Sequence, residues 1–367
     1  MVTRPPRHPP RGRARPAPAA ASCAPPPGAL RRWAALACGV AASAALTACT
    51  GGEEPAPPET SGRAPVERNA PGRADYLLDA QDQYFQNLAA ALRQAPDARS
   101  QRRIEALLET PVAQWLTGPP TDTPRAVEDN LRAAAAQGSV PLFVAYSIPD
   151  RDLGGESSGG SADADDYLAW IRSVSDAIGD TPAVLVLEPD ALAAVPDMDA
   201  ARQAARVQML HDALAVLQEG NPRTAVYLDV GHSRWLAPRV AAELVERVDP
   251  DGTLVTGVAL NVSNQRPVAE LRDYAADLWD ALGRRVHVLV DSSMNGAADT
   301  GDLLEWCNPE GERVGTLPDT VFDPDAWVEE AYVKAPGESD GVCGTSAEPA
   351  GVFDAGLLLE QVADDPA

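Results

Sequence analysis

The sequence predicts an α/β domain built around a sheet of parallel strands. Short apolar runs rich in β-branched residues alternate with amphipathic stretches of helical period, an order typical of parallel strands joined by right-handed crossovers. The runs are almost wholly apolar, which indicates a sheet covered on both faces. Roughly 290 residues follow the N-terminal segment, a length that suits one large domain. The predicted strands are Leu142–Ile148, Ala183–Leu187, Ala225–Leu228, Leu254–Leu260, Val286–Val290 and Ala331–Val333.

Helical patterns lie before and between these strands. Apolar residues recur in them at helical spacing, so each predicts an amphipathic helix packed on the sheet. The predicted helices are Asp82–Arg93, Gln101–Leu108, Asp165–Ile178, Ala200–Gln218, Ala237–Arg247 and Val268–Leu282.

Residues 1–48 are predicted to be a leader rather than part of the fold. Arg31 and Arg32 precede a short apolar stretch, Trp33–Ala45, and small residues follow it. This pattern is typical of a secretory signal, and the stretch is too short to span a bilayer comfortably. Residues 46–49 resemble a bacterial lipobox, in which Cys49 is lipidated; the alternative is a plain signal peptide with an incidental cysteine.

The exported part divides into a tether and a domain. Residues 49–73 are rich in Pro, Gly and Glu and predict a solvated tether, and residues 74–367 are predicted to form the folded domain. The formal charge is −24, and the leader holds seven Arg and no acidic residue. Such an acidic exported surface repels nucleic acid and anionic membranes. We therefore expect an extracellular or cell-surface lipoprotein that touches the membrane only through its anchor.

Two cysteines remain in the domain, Cys307 and Cys343. In an exported protein they predict one disulfide. A zinc site is not expected, because one pair without a nearby His supplies too few ligands.

Polar side chains follow every predicted strand. Parallel strands place their C-terminal ends on one rim, where β/α barrels build active sites. The alternative is that Asp and Asn cap the following helices, but this accounts poorly for Glu188 at the end of an apolar strand. The segments are Ser147–Asp152, Glu188–Asp190, Asp229–His232, Asn261–Asn264, Asp291–Ser293 and Lys334–Asp340.

The rim chemistry rests on carboxylates. His211 falls in a helix pattern and His287 in a strand, which leaves His232 at the rim. Residues 155–159 match G-x-S-x-G, but they lie in a Gly/Ser-rich loop without the strand and helix that a nucleophile elbow needs. Clustered carboxylates with few histidines favour either a divalent-metal site or glycoside hydrolysis.

Aromatic residues at the rim favour a carbohydrate cleft. Indole rings stack on the flat faces of sugars, and Tyr146, Trp235 and Trp306 lie beside the polar segments. Each alone is equally consistent with ordinary core. Lys334 is the single Lys in a chain that has 29 Arg. We expect it to pair with Asp340 or to bind a sugar hydroxyl. The alternative is that a Lys stands here by chance.

The ordered set of rim segments closely resembles glycoside hydrolase family six, the inverting cellulases. The resemblance implies a distorted parallel β/α barrel of about seven strands with its cleft at the C-terminal strand ends. It also implies cleavage of β-1,4-glucan or cello-oligosaccharides with inversion, no cofactor, no metal and a monomer. The matching segments are Tyr146–Asp152, Leu187–Asp190, Tyr227–His232, Leu260–Asn264, Trp306–Pro309 and Val333–Gly341.

The resemblance implies a role for each catalytic residue. Asp190 is the proton donor to the leaving oxygen. Asp152 raises the pKa of Asp190 and helps hold the catalytic water, which Ser158 orients. Asp340 is the candidate base, and Tyr146 presses the sugar at the cleavage point into a distorted ring. The implied substrate-binding residues are Asp229, His232, Asn264, Lys334 and Glu338, with Trp235 and Trp306 as stacking platforms.

Three positions depart from the family pattern. Leu153 stands where the family commonly has Cys, and the partner of that Cys is missing too, so one disulfide is lost as a unit. Met294 replaces the Arg that pairs with the Asp matched by Asp340. Tyr332 stands where Trp is usual.

Four functions remain open on the sequence. The loops after Asp152 and around Cys343 are short, which favours an endo-acting glucanase. Cellobiohydrolase action is the nearest alternative. Met294 and the lost disulfide motivate a non-catalytic glycan-binding lipoprotein, and the rim carboxylates a metal-dependent hydrolase.

Overall fold

The computed structural model describes residues 71–297, 306–318 and 320–363. The predicted leader, Cys49 and most of the tether lie outside the described residues. Within the described part, none of the helices has the length and apolarity that crossing a bilayer requires.

The core of the domain is a sheet of seven parallel strands whose spatial order follows the chain. A separate antiparallel pair is formed by β1 (Ala74–Asp75) and β8 (Val321–Phe322). The parallel strands are β2 (Gln114–Leu116), β3 (Leu142–Ala145), β4 (Ala183–Leu187), β5 (Thr224–Asp229), β6 (Gly257–Leu260), β7 (His287–Asp291) and β9 (Val328–Ala331).

The sheet curls until its two edges meet at one place. Val112, just before β2, bridges Tyr332, just after β9, and the Ala113 amide donates to the Tyr332 carbonyl at 3.0 Å. Among the described residues, β2 and β9 are not joined by a longer ladder of hydrogen bonds. The predicted distorted parallel barrel is confirmed, with a seam between its first and last strands.

Eight α-helices in the described residues connect and cover these strands. All six predicted helices are present, with boundaries shifted by at most three residues. The prediction missed α3, whose Ala-rich second half carries little apolar periodicity, and the short α8. The helices are α1 (Gln83–Leu92), α2 (Ala98–Leu107), α3 (Thr123–Gln137), α4 (Ala164–Ile178), α5 (Ala200–Gly220), α6 (Pro238–Val248), α7 (Val268–Leu282) and α8 (Ala355–Gln361).

The strand predictions failed at the two edges of the sheet. β2 is only three residues long, too short to show a period. The last predicted strand, Ala331–Val333, lies at Val328–Ala331 instead. Its two acidic residues interrupt the apolar pattern on which the prediction depended. Glu329 is buried and accepts a hydrogen bond from the Tyr76 hydroxyl at 2.8 Å. Glu330 pairs with Arg272 on α7.

Alternate residues of the central strands enter two different parts of the core. Phe143 and Leu185 pack with the large helix-lined cluster on the outside of the sheet. Val144 and Val184 pack with strand residues inside the barrel. Because side chains of a strand alternate between faces, these fully buried strands carry apolar residues at every position. The barrel interior is filled below the rim, so any cleft lies at the strand ends.

Candidate active site

A cleft of about 930 Å³ opens at the C-terminal ends of the parallel strands. It is lined by every predicted catalytic residue and by every predicted substrate-binding residue except Asp229. The fold therefore brings together side chains that are spread over almost 200 positions of the chain. The lining includes Tyr146, Asp152, Ser158, Asp190, His232, Trp235, Asn264, Trp306, Lys334, Glu338 and Asp340.

The chain turns sharply as it leaves the strands at this rim. Asp152, Glu188, Asp190 and Asn261 all have left-handed backbone, with φ of 55°, 49°, 69° and 67°. Asp and Asn adopt this conformation more readily than other non-glycine residues. Such backbone costs free energy and clusters at functional sites. The rim aspartates are therefore not simple helix caps.

Asp190 lies three residues after the end of β4 and is partly exposed to the cleft. Burial raises the pKa of its carboxyl well above the usual value, and the neighbouring carboxylates of Asp229, Asp152 and Asp340 raise it further. Its amide donates to Asp229 Oδ1 at 2.9 Å. A raised carboxyl pKa is what a general acid requires.

Asp229 ends β5 beneath the cleft and is 0% exposed. Its Oδ1 accepts from the amides of Asp190 and, at 3.0 Å, Gly231. The expectation of direct substrate contact is therefore corrected: the side chain is covered by the turn that it braces. Its effect on the site is electrostatic and structural, through Asp190.

Glu188, the residue that helix capping could not explain, is a buried brace. It accepts hydrogen bonds from the amides of Ser147, at 3.0 Å, and Ile148, at 3.1 Å. Burial raises the pKa of Glu188 to about 7, and these hydrogen bonds partly offset the rise. It fixes the turn after β3 that follows Tyr146, and it does not line the cleft.

Arg151 organises the loop that carries Asp152 and Ser158. Its guanidinium lies 4.6 Å above the Tyr146 ring, and Nη1 donates to the Tyr146 carbonyl at 2.7 Å. Nε donates to the Ser157 carbonyl at 2.7 Å, while Asp152 Oδ2 accepts from the Ser157 amide at 2.7 Å. Asp152 and Ser158 are thus held close to Tyr146 at the cleft.

This loop touches the opposite wall of the cleft. Glu156 Oε2 accepts a hydrogen bond from the Val342 amide at 3.2 Å. Gly341 lies beneath Glu156, and a Cβ there would come within 2.4 Å of the Glu156 side chain. The two short loops therefore meet at one point above the cleft.

Asp340 faces Asp190 from the base side of the cleft. Its Oδ1 pairs with Lys334 Nζ at 3.0 Å and accepts from Ser263 Oγ at 3.1 Å. Its Oδ2 accepts from the Asn308 amide at 3.2 Å. Three donors therefore hold the two carboxylate oxygens of Asp340 in place at the cleft.

Lys334 is 7% exposed and keeps its charge. Burial acts to lower its pKa, but Asp340 and Glu338 outweigh burial and raise it. Burial raises the pKa of Glu338 to about 7, and Lys334 partly offsets the rise. Met294 supplies no charge and is itself buried. Lys334 is therefore the cation in contact with Asp340.

The predicted disulfide between Cys307 and Cys343 is confirmed, with 6.0 Å between the two Cα atoms. Beside it, Asn308 Nδ2 donates to the carbonyls of Gly341, at 2.9 Å, and Cys343, at 3.1 Å. The loop that contains Trp306 is thus bonded to the loop that follows Asp340.

Aromatic residues line the cleft along its length. Trp306 is 49% exposed, and the Trp235 ring lies 5.8 Å from that of His232. Burial lowers the pKa of His232 to about 4, so the ring is neutral. Trp115, which the sequence reading missed because β2 is so short, also lines the cleft. It lies edge-on to Tyr146 at 5.3 Å.

The remaining polar groups are structural. His211 and His287 bind main-chain carbonyls through Nδ1, at 2.8 Å each. Buried Asp291 accepts from the amides of Ser263, Val333 and Lys334 and fixes the base side of the rim. Within residues 71–297, 306–318 and 320–363, no group of three or more His, Cys, Asp or Glu is arranged to hold a metal ion.

Comparison with known proteins agrees with this geometry. The chain is 36% identical over 265 residues to endoglucanase 1 of Streptomyces sp. (strain KSM-9), and the aligned region covers 70% of each protein. It is 34% identical over 259 residues to endoglucanase A of Thermobispora bispora, which covers 68% of this chain and 55% of that protein.

A solved structure extends the agreement to three dimensions. The endoglucanase Cel6 of Mycobacterium tuberculosis, in complex with methyl-cellobiosyl-4-deoxy-4-thio-β-D-cellobioside, matches with a TM-score of 0.69 and 32% identity. The match covers 80% of this chain and 98% of that one. The model of the glycosyl hydrolases family 6 matches residues 72–355. The chain belongs to glycosyl hydrolases family 6 and is a glycoside hydrolase.

Proposed function

We propose that this glycoside hydrolase cleaves β-1,4-glucosidic bonds of cellulose or a related β-glucan, with inversion and at internal positions. The observation that carries the proposal is the presence in one cleft of Asp190, whose pKa is raised by burial and neighbouring carboxylates, and Asp340, which pairs with Lys334. The endoglucanase names of the similar proteins and the cello-oligosaccharide bound by the similar structure support the substrate class.

The two carboxyl groups take separate parts in one displacement. Asp190 gives its proton to the glycosidic oxygen as the bond from that oxygen to the anomeric carbon breaks. A water molecule attacks the anomeric carbon from the opposite face, and its proton passes to Asp340. Inversion requires roughly 6.5–9.5 Å between the two carboxyl groups so that this water fits. Asp152 and Ser158, on the loop fixed by Arg151, help to hold the water.

The aromatic residues supply binding and distortion. Trp115, Trp235 and Trp306 offer stacking surfaces at separate places in the cleft. Tyr146 is 6% exposed, and its ring is held between Arg151 and Trp115. A ring fixed on both sides can press on the sugar at the cleavage point without yielding. Its hydroxyl stays protonated, because burial raises its pKa well above the usual range.

The stereochemistry test is NMR of the first product anomer. Wild-type enzyme acting on a cello-oligosaccharide should release the α-anomer first, before mutarotation. The β-anomer first would reject inversion. Binding of the oligosaccharide without any hydrolysis would favour the non-catalytic glycan-binding alternative that Met294 motivates.

Endo action is tested on soluble carboxymethyl cellulose. Internal cleavage should lower the viscosity rapidly for each reducing end released. The contact of Glu156 with Val342 is the feature that favours the alternative, cellobiohydrolase action, because it crosses the cleft. Slow viscosity loss with steady release of disaccharide would reject the endo assignment. Removing the contact by Glu156→Ala should then raise the viscosity loss per reducing end.

We further propose that the enzyme is exported as a monomer and tethered by a lipid on Cys49, with residues 1–48 removed and 49–73 as the spacer. The support is the basic, apolar and small-residue sequence before Cys49. Metabolic labelling with a fatty-acid analogue should mark the wild type and not Cys49→Ser. Equal labelling would reject the anchor.

A further inference from the structure

Glu312 is a buried carboxylate outside the proposed catalytic machinery. It is 3% exposed and follows the loop that begins with Trp306. Each of its oxygens accepts a hydrogen bond from a glutamine amide. Gln265 Nε2 donates to Oε1 at 2.8 Å, and Gln361 Nε2 donates to Oε2 at 2.6 Å.

The two glutamines connect Glu312 to different parts of the cleft wall. Gln265 lines the cleft beside Asn264, and its Nε2 also lies 3.4 Å from the Trp306 carbonyl. Gln361, on α8, accepts through Oε1 from the Gly337 amide at 2.8 Å. Gly337 lies between Lys334 and Asp340. Glu312 thus links the loop that contains Trp306 to the loop that contains Asp340.

The arrangement of donors favours an ionised Glu312. Both facing atoms are NH2 donors, so both carboxylate oxygens must accept. Gln361 cannot reverse its amide without losing the bond from Gly337, because its Oε1 is already used as an acceptor. Adding a proton to Glu312 removes the charge that both amides bind, and the new hydroxyl needs an acceptor that neither amide, as placed, offers. The two links are then weakened.

The surroundings place this proton uptake in an accessible range. Burial and, to a smaller extent, the charge of Asp340 raise the pKa of Glu312 to about 7. Gln265, Gln361 and the ammonium of Lys334 act in the opposite direction. Arg313, the next residue, donates through Nη1 to the Glu312 carbonyl at 2.7 Å.

We propose that Glu312 is a positioning residue. Its ionised carboxylate holds the loop that contains Trp306 and the loop that contains Asp340 in fixed positions relative to each other. Protonation of Glu312 weakens these links and makes the Asp340 side of the cleft more mobile. The activity readout rests on the proposed glucanase function. Burial of a carboxylate between two amide donors is otherwise costly, and the two links are what it provides.

The kinetic test uses Glu312→Gln, which mimics the protonated form in size and charge. At pH 8 wild-type kcat/KM should exceed that of the variant roughly tenfold, since a small misplacement at an active site can cost this much or more. Toward pH 5 the ratio should approach one, because wild-type Glu312 is then neutral as well. Glu310→Gln, an exposed carboxylate in the same loop, should leave the ratio at one throughout. A ratio that does not change with pH would reduce Glu312 to a structural residue.

A second measurement needs neither activity nor a variant. Hydrogen exchange of wild-type peptides that contain Trp306 or Gly337, corrected for the intrinsic pH dependence, should lose roughly tenfold in protection between pH 8 and 5 in at least one of them. Unchanged protection in both would overturn the proposal. This outcome is separate from a failure of the proposed function, which would be absence of glucan hydrolysis by wild type at every pH.

Discussion

The cleft has an acid wall that carries Asp190 and a base wall that carries Asp340, and the two walls place the same side chain in different surroundings. On the acid wall, burial, Asp229, Asp152 and Asp340 all raise the pKa of Asp190. On the base wall, Asp340 pairs with Lys334 and accepts from Ser263 and Asn308. Aspartate alone specifies neither acid nor base. The surroundings of each carboxyl group distinguish the two, as general acid–base catalysis requires.

The walls also differ in how they are braced. The acid wall is held by buried carboxylates that bind main-chain amides, Asp229 beneath Asp190 and Glu188 beneath the turn after β3. The base wall is held by a disulfide, the amide of Asn308 and the Glu312 links. We therefore expect changes on the acid wall to act on proton transfer, and changes on the base wall to act on stability and positioning as well.

The largest expected effect is from Asp190→Asn on the acid wall. An amide of the same shape cannot donate a proton to the leaving oxygen, so kcat should fall roughly 10³-fold or more. Binding of cello-oligosaccharide, measured by calorimetry, should stay within severalfold of wild type. A variant that retains a tenth of the wild-type rate would remove Asp190 from the acid role.

Lys334→Met tests the base wall. It removes the cation from a buried pair and leaves Asp340 without its counter-charge, a change that typically costs 3–5 kcal/mol. We expect kcat/KM to fall roughly a hundredfold and the thermal midpoint to fall too. Lys334→Arg is the control that keeps the charge and should recover part of both. Equal loss in the two variants would show that packing, not charge, matters here.

Removing the disulfide should separate stability from proton transfer. Cys307→Ser with Cys343→Ser should lower the free energy of unfolding by about 3 kcal/mol. Activity should fall severalfold, because the loops on either side of Asp340 are no longer tied. The alkaline limb of the pH profile should stay in place, since it reports Asp190. Cys49→Ser, which lies outside the disulfide, serves as the control in denaturant unfolding.

The smallest expected effect is a shift produced by Asp229→Asn. Asp190 works in its protonated form, so activity is lost as pH rises through its pKa. Removing the Asp229 charge lowers that pKa, and the alkaline limb of kcat/KM should move about one unit toward lower pH. The amide oxygen can still accept from the Asp190 and Gly231 amides. Asp150→Asn, on the surface, should leave the limb unchanged.

The sequence predicted the central elements well and the edges poorly. The buried strands β3 to β7 are apolar at almost every position, and their helices have a clear period, so local pattern was enough. β2 carries Trp115 into the cleft but is three residues long, and β9 contains two acidic residues. Both depend on neighbours that are distant in sequence: Tyr76 satisfies Glu329, and β3 supplies the ladder for β2.

The sequence named the catalytic and substrate-binding candidates one by one, and the structure brings all of them except Asp229 to the lining of one cleft. Asp229 follows the same pattern as the other rim residues, and only the packing of β5 shows that it lies under Asp190. Glu312 and Gln265 carry no recognisable motif. Glu312 is linked to the Asp340 loop because α8 places Gln361 within hydrogen-bond distance of it.

The amino-acid sequence by itself determined the parallel architecture, the rim of carboxylates and the cysteine pair, because each follows from local periodicity, residue type or count. Only the tertiary structure supplied the surroundings of the two aspartates: the burial and carboxylates that raise the pKa of Asp190, and the contact of Asp340 with Lys334. A pKa depends on burial and on charges within a few ångströms, and those neighbours come from strands far apart in the chain.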